Sequence, residues 1–244
     1  YCAMSSAGIM RQALVQALHH TSHRSAFQKR LIQQPLMQNV LADMAVEVEA
    51  ALALGLRIAR AMDNANDPAE AALARIGTTV AKYWNTTRCP SLVVEALECH
   101  GGPGYVEESI MPRLYREAPL NSIWEGSGNV MGLDVLRVIG REREAIPAVM
   151  TELEKARGNH PNLDRAIDDL RDELAEPEGL EGRMRMVTEM MALTLQGALL
   201  TQLGDSAVAE AFCASRLAQR YRGAFGTLPR GLDLDAIIGR ALTG

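Results

Sequence analysis

From the first residues of this chain, apolar side chains recur at intervals of three and four. Ile9, Met10, Ala13, Leu14, Ala17 and Leu18 do so within residues 5–22, the spacing of one face of an amphipathic helix. After a polar stretch from His19 to Arg30, the pattern returns from Pro35 to about Ala61, with Leu36, Val40, Leu41, Met44, Val48 and Leu52 on one face. Pro35 suits the first turn of that helix, where a missing N–H costs nothing. Asp63-Asn-Ala-Asn-Asp-Pro68 is a turn. A third long helical stretch covers roughly 69–100; Pro90 is expected to kink or interrupt it, and Gly101-Gly-Pro-Gly104 to end it. Short segments follow, then a helix from about Gly126 to Arg141. Three to five further helices fill 142–244, separated by Gly158-Asn-His-Pro161, Glu176-Pro-Glu-Gly179, Gly204-Asp205 and the stretch from Gly226 to Gly231. No internal repeat, low-complexity tract or alternating strand pattern of useful length is present. The expectation is an all-α fold in two parts, 1–141 and 142–244, with the boundary near 140–147.

Composition supports this and narrows the function. Hydrophobic residues make up 48% and aromatics only 4%, so the apolar content is mainly Ala, Leu, Val and Met, and three of these are strong helix formers. At 244 residues the chain is long enough to bury a core without disulfides or a structural metal. A net charge of −5 argues against a chain built as a whole to wrap nucleic acid. Cys2, Cys89, Cys99 and Cys213 form no CxxC pair and no metal-ligand spacing, which reads as free thiols in a reducing, cytoplasmic compartment. Cys99 and His100 are adjacent and do not converge on one ion, so no metal is expected. No apolar run reaches the roughly 18 residues of a membrane span: the longest, Met190 to Leu200, is broken by Thr194, Gln196 and Gly197. There is no charged region followed by an apolar core at the start, and helical pattern begins at Tyr1 without an initiator Met, as expected of a fragment.

Three segments carry residue types suited to chemistry. The first is HRSAFQKRLIQQPLMQNVLADM, His23 to Met44. Arg24 offers a planar, permanently charged fork of donors suited to a pyrophosphate; local sequence alone favours a surface arginine before a helix. The second is ECHGGPGY, Glu98 to Tyr105. Adjacent glycines let backbone amides approach an anion closely, or else end a helix. The third is VEESIMPRLYREAPLNSIWEGSGNVMGLDVLR, Val106 to Arg137. Glu125 stands there in a helix-entry turn, where a carboxylate is otherwise a cap or a solvated charge.

In this order and spacing the segments resemble the acyl-CoA dehydrogenase family, in its AidB-like (adaptive response to alkylation) branch, C-terminal part. Arg24, Phe27, Leu31, Gln38 and Leu41-Ala-Asp-Met44 match one family segment. Gly101, Gly102, Gly104 and Tyr105 match another, and Arg113, Tyr115-Arg-Glu-Ala118, Ile123 and Trp124-Glu-Gly-Ser127 a third. Three positions depart: Gln28 replaces a family Gly, and Pro35 and Glu98 each replace a Gln. The resemblance implies that residues 1–141 form the family's C-terminal helical bundle and 142–244 the branch's helical extension. It implies FAD as cofactor, contacted by Arg24, Phe27, Gln38, Gly101, Gly102, Trp124, Gly126 and Ser127, with Arg24 and Phe27 reaching the flavin of a neighbouring subunit. It implies an acyl-CoA substrate, whose α-proton Glu125 removes while a hydride passes to the flavin, and a homodimer or homotetramer. Trp124 would be an apolar wall against the flavin ring or plain core.

The extension opens a second reading. Between Ala211 and Gly244, Arg216, Arg220, Arg222, Arg230 and Arg240 face only Asp233 and Asp235, a local net of +3. The branch is associated with double-stranded DNA through basic residues of this region, so Arg216, Arg220 and Arg222 are candidate phosphate contacts; the alternative is an ordinary salt-bridged surface. The acidic stretch 162–181 is expected to be a solvated helix face. Three functions follow: an acyl-CoA dehydrogenase, a DNA-associated flavoprotein with a vestigial dehydrogenase site, and an oligomerisation module.

Overall fold

The computed structural model describes residues 1–218 and 223–243. Among them the helices are α1 (Cys2–His23), α2 (Pro35–Asp63), α3 (Pro68–His100), α4 (Gly102–Tyr105), α5 (Met111–Glu117), α6 (Gly128–Arg141), α7 (Ala145–Glu154), α8 (Pro161–Ala175), α9 (Leu180–Leu203), α10 (Ser206–Ser215) and α11 (Leu234–Thr243). The strands among the described residues are β1 (Ser25–Ala26) and β2 (Lys29–Arg30), paired antiparallel. The chain is all-α, and none of the described helices is long and apolar enough to cross a membrane.

The long helices form where apolar periodicity places them. Met10, Ala13, Leu14, Ala17 and Leu18 of α1 are all buried. Pro35 occupies the first turn of α2, and the Asp67 carboxylate caps α3 by accepting from the Ala69 amide, an interaction worth about 1 kcal/mol. The expected interruption at Pro90 does not occur: α3 runs through it as one element. An interior proline costs about 3 kcal/mol, but Cys89, Leu92, Val93 and Ala96 are buried around it, and each large apolar side chain removed from water returns about 1.5–3 kcal/mol.

Helices α1 and α3 run parallel. Where α1 starts, Asn85 from the middle of α3 donates to the Ala3 carbonyl, and at the ends of both helices the rings of His20 and His100 lie 4.8 Å apart. Helix α2 runs antiparallel to α3, with Arg57 reaching Glu70, Asn85 donating to the Ala51 carbonyl and Arg88 pairing with Glu47. Helix α9 packs on α2, α3, α6 and α8, so buried residues from both parts of the chain share one core. In α8, Leu163, Ile167 and Leu170 face inward, while Asp168 pairs with Arg157 and Arg171 and Glu173 with Arg183. The four cysteines are free and buried; burial pushes the thiols of Cys89, Cys99 and Cys213 up to about 12.

Buried ion pairs tie the extension to the bundle. Arg57 of α2 joins Glu70 to Glu152 of α7. Arg216 sits against Asp43 and Glu47 of α2 with only 2% of its side chain exposed. Burial pushes Glu47 up, but Arg88 and Arg216 outweigh it and the carboxylate ends below its ordinary range. This corrects the expectation for Arg216: its guanidinium is committed to carboxylates inside the protein and is not presented to phosphates. Counting basic residues along a sequence treats each as a surface charge, and a long-range pair breaks that assumption. Arg220 and Arg222 lie outside the described residues.

Candidate active site

The residues singled out in the sequence fall into two groups at opposite ends of the parallel α1–α3 pair. The first surrounds Glu125, in the segment between the short 3-10 turn Leu120–Ser122 and α6. Glu125 has a φ of 55°, a left-handed conformation that non-glycine residues adopt reluctantly. Its carboxylate is exposed and accepts from the Cys2 thiol at 3.3 Å. Burial first, and then that hydrogen bond to Glu125, push the Cys2 thiol up. Beneath the turn, the Lys82 ammonium of α3 donates to the Gly126 carbonyl. Gly126 has a φ of 107°, and a Cβ there would lie 2.4 Å from Met131 Cε, so the turn requires glycine.

Trp124 is half-exposed at 45%, which decides against plain core. Its indole N–H donates to Asn121 Oδ1 at 3.0 Å, and Asn121, itself buried, donates to Ser6 Oγ of α1 at 3.1 Å. Ser127 is the residue before α6. Glu125, Trp124, Gly126 and Ser127 are thus held against the start of α1 and the middle of α3 by Cys2, Ser6, Lys82 and Asn121. Sequence reading missed these four. Two signals were available: Asn121 lies inside the matched string LNSIWEGSG, and Lys82 interrupts the apolar face of α3 at helical spacing from Thr79 and Thr86, both of them buried.

The second group lies at the other end. Arg24 follows α1 directly, is exposed, and has no carboxylate within ion-pair distance among the described residues. Phe27 and Gln28 form the two-residue tip of the β1–β2 hairpin, with φ of 53° and 66°; both signs are those of a type I′ turn. Phe27 is 92% exposed. The Gly101–Gly102 turn is brought to the same end by the His20–His100 contact. Burial first, then the neighbouring His100 ring and Arg24 guanidinium, hold His20 below the ordinary histidine range.

The glycines of this turn divide by task. A Cβ on Gly104 would lie 2.5 Å from the Leu97 carbonyl oxygen, so Gly104 is required for packing. Gly101 has a φ of 64° and needs its freedom for the turn. A Cβ on Gly102 would meet no atom within 4 Å, so neither packing nor φ demands glycine there, and its open face is free for an approaching group. Glu98 is exposed beside the turn. Gln38, in the first turn of α2, has its amide taken up by Asp235 of α11 at 3.1 Å.

Helix α1 separates the groups. Cys2 touches Glu125 and His23 precedes Arg24, so the two clusters stand about 30 Å apart at 1.5 Å per residue. One chain does not bring Arg24 to Glu125.

Comparison with known proteins gives the family. The family described as acyl-CoA dehydrogenase, C-terminal domain, matches residues 1–140. The chain belongs to the acyl-CoA dehydrogenase family. It is 41% identical over 219 residues to AidB of Escherichia coli (strain K12), covering 90% of this chain and 40% of that protein. It is 28% identical over 226 residues to acyl-CoA dehydrogenase family member 11 of Caenorhabditis elegans, covering 91% of this chain and 36% of that one. Both alignments extend past residue 140, and they place the chain on the AidB-like branch. The crystal structure of ACDH-11 from Caenorhabditis elegans, in complex with C11-CoA, superposes on 98% of this chain and 45% of that one with a TM-score of 0.79 at 26% identity. An acyl-CoA dehydrogenase from Bacillus anthracis, complexed with FAD, shares the fold at a TM-score of 0.69 and 16% identity, over 99% of this chain and 47% of that one. The chain therefore spans about two fifths of the length of the relatives it matches.

Proposed function

We propose that this chain supplies the base, Glu125, and one edge of the flavin site to an FAD-dependent dehydrogenase that introduces an α,β double bond into an acyl-CoA. The observation that carries the reading is the Glu125 turn: a carboxylate held in a left-handed conformation, exposed, and flanked by a half-exposed indole. A residue with only a structural task has little reason to stay in so unfavourable a conformation.

The residues at the other end suit the cofactor. The unobstructed face of Gly102, the exposed and uncommitted Arg24 and the projecting Phe27 offer amides, a guanidinium and an aromatic ring to a pyrophosphate and its flanking rings. The distance between the two clusters supports a site shared between subunits, Glu125 from one copy and Arg24 with Phe27 from another, and hence a homodimer or homotetramer. In the reaction Glu125 takes the α-proton onto its carboxylate as the α-carbon rehybridises. Bound FAD would supply the acceptor for the hydride leaving the β-carbon. Trp124 gives the base an apolar neighbour, and its tie to Asn121 keeps the indole beside the turn. A DNA-binding role for the extension loses one of its three candidate contacts, since Arg216 is buried in ion pairs.

Glu125→Gln in the full-length protein should keep the fold and the flavin and slow acyl-CoA-dependent flavin reduction by about 100-fold or more. Reduction at the wild-type rate would exclude Glu125 as the base.

A further inference from the structure

Lys82 is buried within α3, at 8% exposure, and no carboxylate among the described residues lies within ion-pair distance of it. A lysine in such a place needs a reason, because buried charges are rare without a close partner. Among the described residues its ammonium donates one hydrogen bond, to the carbonyl of Gly126. The titratable groups that face it across the helix packing are Cys2 of α1 and Glu125 of the turn. The same carboxylate accepts from Cys2, so one cation and one thiol flank a single left-handed residue and its carboxylate.

We propose that Lys82 is the positioning residue for Glu125, fixing the turn through the Gly126 carbonyl and keeping a positive charge behind the carboxylate. The inference rests on the reading of Glu125 as base. Lys82 holds the carbonyl of the Gly126–Ser127 peptide, one residue past Glu125, and so fixes the turn from which the Glu125 side chain leaves the backbone. Cys2 restrains the carboxylate from the opposite helix. Release of the Gly126 carbonyl would let the turn relax towards more favourable dihedrals and carry the carboxylate away from a bound thioester. Misplacement by about 1 Å is enough to cost up to roughly 100-fold in rate. Burial lowers the Lys82 pKa, against the opposing pull of Cys2 and Glu125. The ammonium is therefore lost at a lower pH than that of an ordinary lysine, and the turn with it.

The test uses the full-length, flavin-loaded protein and a saturated acyl-CoA. Lys82→Met keeps the buried stem and removes the donor. Flavin reduction at saturating substrate should slow by roughly 10- to 100-fold, with the half-saturating concentration unchanged, and the amides of residues 124–127 should exchange with deuterium at least tenfold faster. A lysine that merely stabilised the bundle would lower the melting temperature and leave the rate per folded, flavin-bound molecule intact. Lys82→Arg, permanently charged, should restore most of the rate and move the alkaline fall of the rate to higher pH. Wild-type reduction and exchange in Lys82→Met, alongside a slow Glu125→Gln, would overturn the proposal and leave the base reading standing. A Glu125→Gln protein as fast as wild type would remove the base reading and this proposal together. If Lys82→Met loses flavin or fold, the Lys82→Arg profile decides, and an unmoved alkaline limb overturns the proposal. If the wild type reduces no flavin, the exchange rates decide alone.

Discussion

The two ends of the α1–α3 pair are built in opposite ways. Around Glu125 the side chains that matter are tied to the chain itself: the carboxylate to Cys2, the indole to Asn121, the Gly126 carbonyl to Lys82. Around Arg24 they are untied: an exposed guanidinium, a phenyl ring that is 92% exposed and a Gly102 face that meets nothing. A tied end can be prepared within one subunit before any ligand arrives. An untied end loses side-chain freedom only when something binds there, so its value appears as affinity. Mutations at the two ends should therefore register in different measurements.

The largest effect expected from this contrast is on cofactor affinity. Arg24→Ala in the full-length protein should weaken FAD binding by about 1.5–3 kcal/mol, the range for a hydrogen bond to a charged group. The rate of flavin reduction at saturating FAD should stay near wild type, because in the shared site Arg24 serves the pyrophosphate and not the reacting carbons. Titration of the flavin-free protein with FAD, followed by single-turnover reduction, separates the two quantities. A slowed reduction with unchanged affinity would break the contrast.

A smaller effect is expected at the tied end, and on stability. Asn121→Ala removes the acceptor of the Trp124 indole and the donor to Ser6. Trp124 is half-exposed and regains a water partner, while Ser6 is fully buried and does not. The loss should be about 1 kcal/mol, the low end for a buried group left unpaired, read as a lower urea midpoint with an unchanged slope. FAD affinity should be unaffected, in contrast to Arg24→Ala.

Much of this was legible in the residues, and what was hidden has a common cause. Apolar periodicity located α1, α2 and α3 because each helix repeats its signal over several turns. Glu125, Arg24 and the Gly101–Gly102 pair were found through local strings. What could not be read is whatever depends on a partner far along the chain. Asp43 and Glu47 lie on α2 among apolar neighbours and look like a break in its buried face; their counter-charges come from Arg88 and from Arg216, more than 160 residues away. The same distance disguised Arg216 as a surface charge. Lys82 and Cys2 were hidden likewise, since neither belongs to a motif and each meets the Glu125–Gly126 turn more than 40 residues away in the chain. The hairpin at residues 25–30 escaped for a different reason. Its strands are two residues long, too short for alternation, and its tip is Phe27-Gln28, where Asn-Gly would have announced a turn.

That tip yields the smallest prediction and the finest test of the contrast. Phe27 and Gln28 both hold positive φ without being glycine, which costs about 1–2 kcal/mol per residue in the left-handed region. Gln28 stands where family relatives have glycine by resemblance, and it is exposed, so no packing compensates it. Gln28→Gly relieves that strain but adds unfolded-state freedom worth about 0.5–1 kcal/mol, leaving a net gain of about 0.5 kcal/mol. The change should appear as a slightly higher melting temperature of the full-length protein. It should also bring a modest rise in FAD affinity, because a relaxed turn presents Phe27 in the same place with less conformational cost. The opposite-signed counterpart is Gln28→Val. A β-branched residue at positive φ is a genuine outlier, so the hairpin should open, and FAD affinity should fall while the rate of reduction at saturating FAD is kept. If Gln28→Val instead slowed the chemistry, the untied end would act on the rate as well as on affinity, and the division between the two ends would fail.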